Sequence, residues 1–183
     1  MPQNLELKAR ISSVPDAARI AHRLKAQPQG TLQQRDLYYN VSRGRLKLRI
    51  IQHHSAELIF YNRPNKKGKR YSDYLVVPIS DALLTNSLCT AAFGLKVEVR
   101  KKRRLFIYKN SRIHLDKVHG LGTFLEFEVL VTRGKRQAQK LIEALSQEFG
   151  LQRAAILGVS YSDMLLHKKR LLQKRKTNSE VSF

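Results

Sequence analysis

Along much of this chain, apolar residues alternate one for one with ionisable ones. Glu6-Leu7-Lys8-Ala9-Arg10 is the first such run and Arg45-Leu46-Lys47-Leu48-Arg49 the next. Glu57 to Arg63, Val97 to Arg103, Arg112-Ile113-His114-Leu115-Asp116 and Glu126-Phe127-Glu128-Val129 extend the series. A repeat of two predicts β-strands, because successive side chains leave a strand on opposite faces. On a single strand, alternating charge marks a sheet face in water. Here the charged faces hold Lys, Arg and Glu almost exclusively, and acids and bases are mixed on strand after strand. That agreement predicts a shared charged interior.

The pattern predicts a first strand over residues 4–11. Ser12 and Ser13 offer a helix cap, Pro15 suits the first turn, and 17–26 has helical spacing before Gln27-Pro28-Gln29-Gly30 ends it. Strands are expected over 33–40, 45–52 and 57–62, divided by Ser42-Arg43-Gly44 and His53-His54-Ser55. A loop at Pro64-Asn65-Lys66-Lys67-Gly68 precedes a strand over 70–77. Ser80 or Asp81 caps a helix reaching about residue 92, stopped by Gly94. Strands over 96–109, 111–118 and 123–131 follow, then helices over 135–149 and 162–176. Many consecutive strands with short turns predict an α+β protein, mainly antiparallel β, closed as an eight-stranded barrel with peripheral helices. No internal repeat is apparent.

Charge narrows the partner. The 183 residues carry 35 Lys and Arg against 14 acids, a formal net charge of +21. Such an excess favours an anion: nucleic acid, polyphosphate, nucleotide or acidic membrane surface. The apolar fraction of 42% supports a real core and excludes wholesale disorder. Cys89 is the one cysteine, which points to a reducing compartment. No stretch reaches the roughly 18 apolar residues of a membrane span, and no signal-peptide pattern opens the chain. The expectation is an intracellular, cytoplasmic protein. Lys168-Lys169-Arg170 and Lys174-Arg175-Lys176 read as a solvated basic helix, with nuclear import or a nucleic-acid contact as the sharper alternatives.

The interior inferred from the alternation contains Lys8, Arg10, Arg45, Lys47, Arg49, Arg63, Lys101 and Arg103, with Glu6, Asp116, Glu126 and Glu128 as its acids. A barrel of about eight strands can enclose a ligand. Burying so many cations together is prohibitive unless acids, water and a highly charged anion offset them. Mg²⁺ takes one or two carboxylates together with phosphate oxygens and water. The interior therefore suits a metal-bound polyphosphate, gripped by Arg at its phosphoryl oxygens.

Other residues read more plainly. The histidines lack zinc spacing, and His114 and His119 read as structural groups near the acids. Cys89, in a Leu- and Ala-rich helix, reads as a buried small hydrophobe. Gly120 and Gly122 read as turn glycines. In the run Arg100 to Arg104, alternate residues can line the interior, leaving Arg100, Lys102 and Arg104 outside.

The collinear series Glu6-Leu7-Lys8, Asp36-Leu37-Tyr38-Tyr39, Leu46-Lys47-Leu48-Arg49, Leu58 to Pro64, Ser72-Asp73-Tyr74 and Lys101 to Phe106 resembles the CYTH superfamily. Its most specific part is the block Leu115-Asp116-Lys117-Val118-His119-Gly120-Leu121-Gly122-Thr123-Phe124-Leu125-Glu126-Phe127-Glu128, and Val159 to Leu165 closes the match. The details are most similar to the class IV adenylate cyclase branch, with thiamine triphosphatase and inorganic triphosphatases as relatives. The resemblance implies a triphosphate tunnel domain over 1–166, followed by a basic helix or tail over 167–183. It implies Mg²⁺ or Mn²⁺ on Glu6, Glu126 and Glu128, with Asp116 orienting them, so that Glu6, Asp116 and Glu128 form the catalytic set. Lys8, Lys47, Arg49, Arg63, Lys101 and Arg103 would grip the phosphates. A triphosphatase directs water at the terminal phosphorus, whereas a cyclase directs the ribose 3′-hydroxyl at the α-phosphorus and expels pyrophosphate.

One departure bears on chemistry. The family's first strand reads Glu-x-Glu-x-Lys, and Asn4 stands at its first acidic position. Asn65 also follows Arg63-Pro64 where this branch often has Asp. An amide oxygen can ligate a metal but brings no charge. The expectation is a metal-dependent enzyme hydrolysing an organic, inorganic or nucleotide triphosphate. The alternatives are a class IV-type cyclase, or a catalytically weak tunnel protein that binds polyphosphate or 5′-triphosphorylated RNA. In the last case surplus surface Lys and Arg and the tail would contact the RNA.

Overall fold

The computed structural model describes residues 3–62, 68–132 and 134–180, with side chains to 174. Eight antiparallel strands close on themselves. They are β1 (Gln3–Arg10), β2 (Gln27–Tyr39), β3 (Arg45–Ile51), β4 (Ser55–Asn62), β5 (Arg70–Ile79), β6 (Leu95–Tyr108), β7 (Ser111–Val118) and β8 (Gly122–Leu130). Their order is β5-β4-β3-β2-β6-β7-β8-β1, and pairing of β1 with β5 completes the barrel. A two-residue strand, β9 (Ile156–Leu157), lies against the second half of β1. The expected α+β barrel is thus present.

Four helices surround it: α1 (Val14–Arg23), α2 (Ala82–Phe93), α3 (Lys135–Glu148) and α4 (Tyr161–Glu180). Ser13 accepts the Asp16 amide at the start of α1, where proline also sits, and Asp81 accepts the Leu84 amide at the start of α2. Gly94, at φ +72°, ends α2 in a conformation that side chains resist. The predicted first helix lies about three residues late, and Gln27 to Gly30 belong to β2. Pro28 and Gly30 mark a break in its register against β6, so those residues interrupt a strand without ending it.

Most of the apolar core lies outside the barrel, while Tyr38, Ile59, Tyr61, Phe124 and Tyr161 belong to an inner cluster. Leu5, Leu7, Ile113, Leu115, Leu125, Phe127 and Val129 point outward and are buried under Ala17, Ala18 and Ala21 of α1 and Ala138, Ile142 and Leu145 of α3. Leu37, Tyr39 and Leu48 meet Cys89 of α2 in a second cluster, so that cysteine is a buried packing residue. With outward positions committed to apolar packing, period two turns the charged positions inward. Arg100 and Lys102 are exposed on the outer face of β6 and Arg104 is half-buried, whereas Lys101 and Arg103 are buried inside.

Helix α4 abuts the barrel at its first turn. The Ser160 amide donates to Asp163 Oδ2 (3.2 Å) and the Asp163 amide to Ser160 Oγ (3.1 Å), a reciprocal cap. Tyr161 is thereby packed against Phe124. The helix continues unbroken past residue 166, and residues 167–174 are exposed. Lys168 still donates to the Gly120 carbonyl at 2.8 Å.

Candidate functional site

Strand register sets acids opposite bases in the interior. Lys8 faces Glu126 across β1 and β8, Arg103 faces Asp116 across β6 and β7, and Asp36 faces Arg49 across β2 and β3. Between them lies a cavity of about 370 Å³ lined by Glu6, Lys8, Lys47, Arg49, Lys101 and Arg103 together with Glu126 and Glu128. That volume falls within the roughly 300–1,000 Å³ of small-molecule sites.

Arg103 organises one wall. Its guanidinium donates Nε to Asp116 Oδ1 (2.7 Å) and Nη2 to Asp116 Oδ2 (2.6 Å), and Nη2 also reaches Glu126 Oε2 (3.1 Å). Tyr161 donates its hydroxyl to Asp116 Oδ2 at 2.9 Å. Lys8 Nζ lies 2.8 Å from Glu126 Oε1 and 3.5 Å from the Tyr161 ring centre. The Asp116 carboxyl is fully enclosed. Burial raises its pKa, but Arg103, by charge and hydrogen bonds, overcomes that and brings it down to about 2. Burial likewise opposes ionisation of Glu126, and the charges of Lys8 and Arg103 hold it well below the ordinary range.

Asp36 organises the opposite wall. It accepts from Arg49 Nε (2.8 Å), Arg49 Nη2 (3.1 Å), Lys47 Nζ (3.2 Å) and Lys101 Nζ (2.8 Å). One carboxylate therefore serves three cations, a ratio that leaves the wall positive. Burial, reinforced by Arg49, lowers Lys47 to about 7 although Asp36 resists. Burial lowers Lys101 to about 8, again against Asp36, with Arg103 and Arg49 adding repulsion.

These two lysines couple anion binding to protons. Between about pH 7 and their unfolded range near 10.5 they hold fewer protons folded than unfolded, so they favour folding more as pH rises through that window. A bound polyanion restores both charges. Titration calorimetry with tripolyphosphate at pH 8, in buffers of different ionisation enthalpy, is expected to read uptake of about one proton. Affinity should fall as pH rises beyond 8, and an enthalpy independent of buffer would contradict this coupling.

The structure brings most of the expected site together and moves three residues out of it. Arg10 is exposed, donating Nη1 to the Leu121 carbonyl (2.9 Å) with its guanidinium against Phe124, because it lies past the point where β1 lines the cavity. Arg45 is drawn to the α4 cap, where Nη2 donates to Asp163 Oδ2 at 2.9 Å. Asp116 lies behind Arg103 and does not line the cavity, so it is placed to position Arg103 and Tyr161 and not to touch a substrate. Arg63 and Asn65 lie outside the described residues.

Several interior residues carry no clear alternating signal. Asp36 stands in the row Gln34-Asp36-Tyr38, where its neighbours on the same face are uncharged. Arg70 opens β5, is buried and faces Glu6 in register. Tyr161 also lines the cavity, as do Glu57 and Arg112, which stand in the alternating runs but outside the expected interior set. The signal for Arg70 and Asp36 was their register against charged neighbours, which needs the strand pairing. His114, expected to be a turn-side structural group, is buried in the middle of β7, facing Glu126.

A metal fits the acidic end. Glu6 and Glu128 stand directly opposite one another, a like-charge placement that costs free energy unless a cation lies between them. Donor atoms of His114, Glu126 and Glu128 lie within 4.8 Å of one another. Asn4 Oδ1 is buried with no partner among the described residues, on a side chain lining the same cavity.

The CYTH domain model matches residues 2–159. No curated protein matches the chain. PH1012 from Pyrococcus horikoshii OT3 is similar in structure, with a TM-score of 0.80 at 23% identity over 87% of this chain and 98% of its own. An adenylate cyclase candidate from Vibrio parahaemolyticus gives a TM-score of 0.72 at 20% identity, over 88% of this chain and 97% of its own. HpAC1 from Hippeastrum, an adenylyl cyclase candidate described as having a dominant triphosphatase activity, gives 0.65 at 15%, over 91% and 95%. The family match spans the entire barrel, including the charged interior just described, and the chain belongs to the CYTH domain family.

Proposed function

We propose that this protein is a metal-dependent triphosphate hydrolase whose substrate lies in the barrel. The observation that carries the reading is the division of one cavity into a cationic wall (Lys47, Arg49, Lys101) and a carboxylate end (Glu6, Glu126, Glu128). Three cations sharing Asp36 leave positive charge for phosphoryl oxygens, and Arg49 offers a planar fork for them. Glu6, Glu126 and Glu128 would hold Mg²⁺ or Mn²⁺, with the Asn4 amide oxygen as a neutral addition. When bound, the metal supplies Lewis-acid polarisation of a phosphoryl oxygen and neutralises charge that develops there. Asp116 keeps Arg103 fixed, and Lys8 is held between Glu126 and Tyr161 where a phosphate could draw it away. HpAC1, the Hippeastrum neighbour, lends the hydrolase reading support by analogy.

A second reading rests on the outer face of β2, β6 and β7. Register sets Lys102 opposite Lys117, both exposed, beside Arg100 and Arg35, which already share Glu98. Like charges in direct opposition are destabilising, and an anionic polymer would relieve them. Here the protein would bind a 5′-triphosphorylated RNA, with the exposed part of α4 as a further contact. Among the described residues, no helix is long and apolar enough to cross a membrane. A cytoplasmic or nuclear setting belongs to both readings.

The test is phosphate and pyrophosphate release from tripolyphosphate, thiamine triphosphate, ATP and 5′-triphosphate RNA with Mg²⁺ or Mn²⁺. Expected is phosphate from at least one substrate, lost in Glu126→Gln. Pyrophosphate with cyclic nucleotide from ATP would establish the cyclase instead. Binding of these anions without turnover would overturn the enzyme reading in favour of the binder.

A further inference from the structure

His114 has no place in the phosphate grip or among the carboxylate ligands, and it does not line the cavity, yet it is buried beside Glu126 and Glu128. It lies on β7 between Arg112 and Asp116, on the strand face that meets the carboxylates, and is 3% exposed. Its Nδ1 is 3.7 Å from Glu128 Oε1 and 3.8 Å from Glu126 Oε2, and it has no hydrogen-bond partner among the described residues. Both separations are too long for hydrogen bonds. A buried polar nitrogen left unmet costs about 1–3 kcal/mol, so its position calls for a reason.

Coordination supplies one. Two donors bound at about 2.1–2.2 Å to one ion stand roughly 3.0–3.6 Å apart across the edges of its polyhedron. The imidazole nitrogen is within a few tenths of an ångström of that spacing from each of the two carboxylate oxygens, and the three donors lie within 4.8 Å of one another. A neutral imidazole can offer a lone pair, and nitrogen donors favour transition metals over Mg²⁺, which demands oxygen.

We propose that His114 is a metal ligand through Nδ1, joining Glu126 and Glu128, and that it makes the tunnel a site for Mn²⁺ or a similar transition ion in preference to Mg²⁺. This rests on the triphosphate reading for the presence of a metal but adds a ligand and a metal preference to it. The neutral oxygen of Asn4 works in the same direction. With a carboxylate replaced by an amide, the site gives up charge, on which hard-cation affinity depends most, and keeps a nitrogen that Mg²⁺ uses poorly.

The experiment is pulsed EPR on the full chain loaded with Mn²⁺, with and without ¹⁵N-histidine labelling, beside calorimetric titration of Mn²⁺, Mg²⁺ and tripolyphosphate. Expected is a directly coordinated nitrogen coupling that changes with the isotope. In His114→Asn the coupling should vanish and Mn²⁺ affinity fall by about tenfold or more, with Mg²⁺ affinity changing much less. The wild-type spectrum alone decides the matter should the variant fold poorly. Bound Mn²⁺ with oxygen ligands only would overturn the proposal while leaving the triphosphate reading intact, provided tripolyphosphate still binds. Absence of both metal and tripolyphosphate binding would overturn the two together.

Discussion

Asp36→Asn is expected to destabilise the empty protein by about 3–5 kcal/mol, the usual cost of removing one partner from a buried ion cluster. For a chain of this length that corresponds to a melting temperature lower by roughly 6–20 °C. The cause is specific. Asp36 is buried and is the carboxylate shared by Lys47, Arg49 and Lys101, and those three cations hold it far below the ordinary carboxylate range despite its burial. Without it, Lys47 and Lys101 lose the main attraction that opposes their deprotonation. The same substitution should make the protein lean on an anion. Tripolyphosphate at about 100 times its dissociation constant adds about 2.7 kcal/mol to any protein that binds it only when folded. The variant, with three cations released, should gain more than the wild type at equal ligand concentration. Thermal unfolding with a tripolyphosphate series measures both effects. An unchanged melting temperature, or an identical ligand response in the two proteins, would show that Asp36 does not restrain the cationic wall.

The barrel was legible because its pattern is redundant. Glu6-Lys8, Lys47-Arg49, Lys101-Arg103 and Glu126-Glu128 each report the same inward face, and each pair is inside. Period two cannot say where along a strand the interior ends. Arg10 and Arg45 have the correct parity, but one reaches a loop carbonyl and the other the cap of α4. Nor can alternation reveal a lone interior charge such as Asp36 or Arg70, whose significance comes from residues far away in sequence. His114 shows a further limit. Its parity was visible, but its meaning depends on an unpartnered nitrogen and two distances, which no spacing encodes.

Asn4 connects the sequence reading to the chemistry through a pair of reciprocal substitutions. Glu128→Gln is expected to lower triphosphate turnover by about 10²–10³-fold, the scale of losing one preorganised electrostatic contributor. Glu128 is the carboxylate most available to a ligand. Its side chain is 20% exposed and its contact with Arg112 is long, at 3.5 Å, whereas Glu126 is engaged by Lys8 and Arg103. Tripolyphosphate affinity measured without metal should stay within a few-fold, because the cationic wall is untouched. Asn4→Glu runs the other way. A carboxylate there adds negative charge to the cavity that already holds Glu6 and Glu128, so the metal-free protein should melt lower. With metal the order should reverse, since added ligand charge raises hard-cation affinity. Melting curves with and without Mn²⁺, beside initial rates, separate the two effects. Equal turnover in wild type and Glu128→Gln would remove this carboxylate from catalysis. A rate gain in Asn4→Glu would identify the amide as the feature that limits the natural protein.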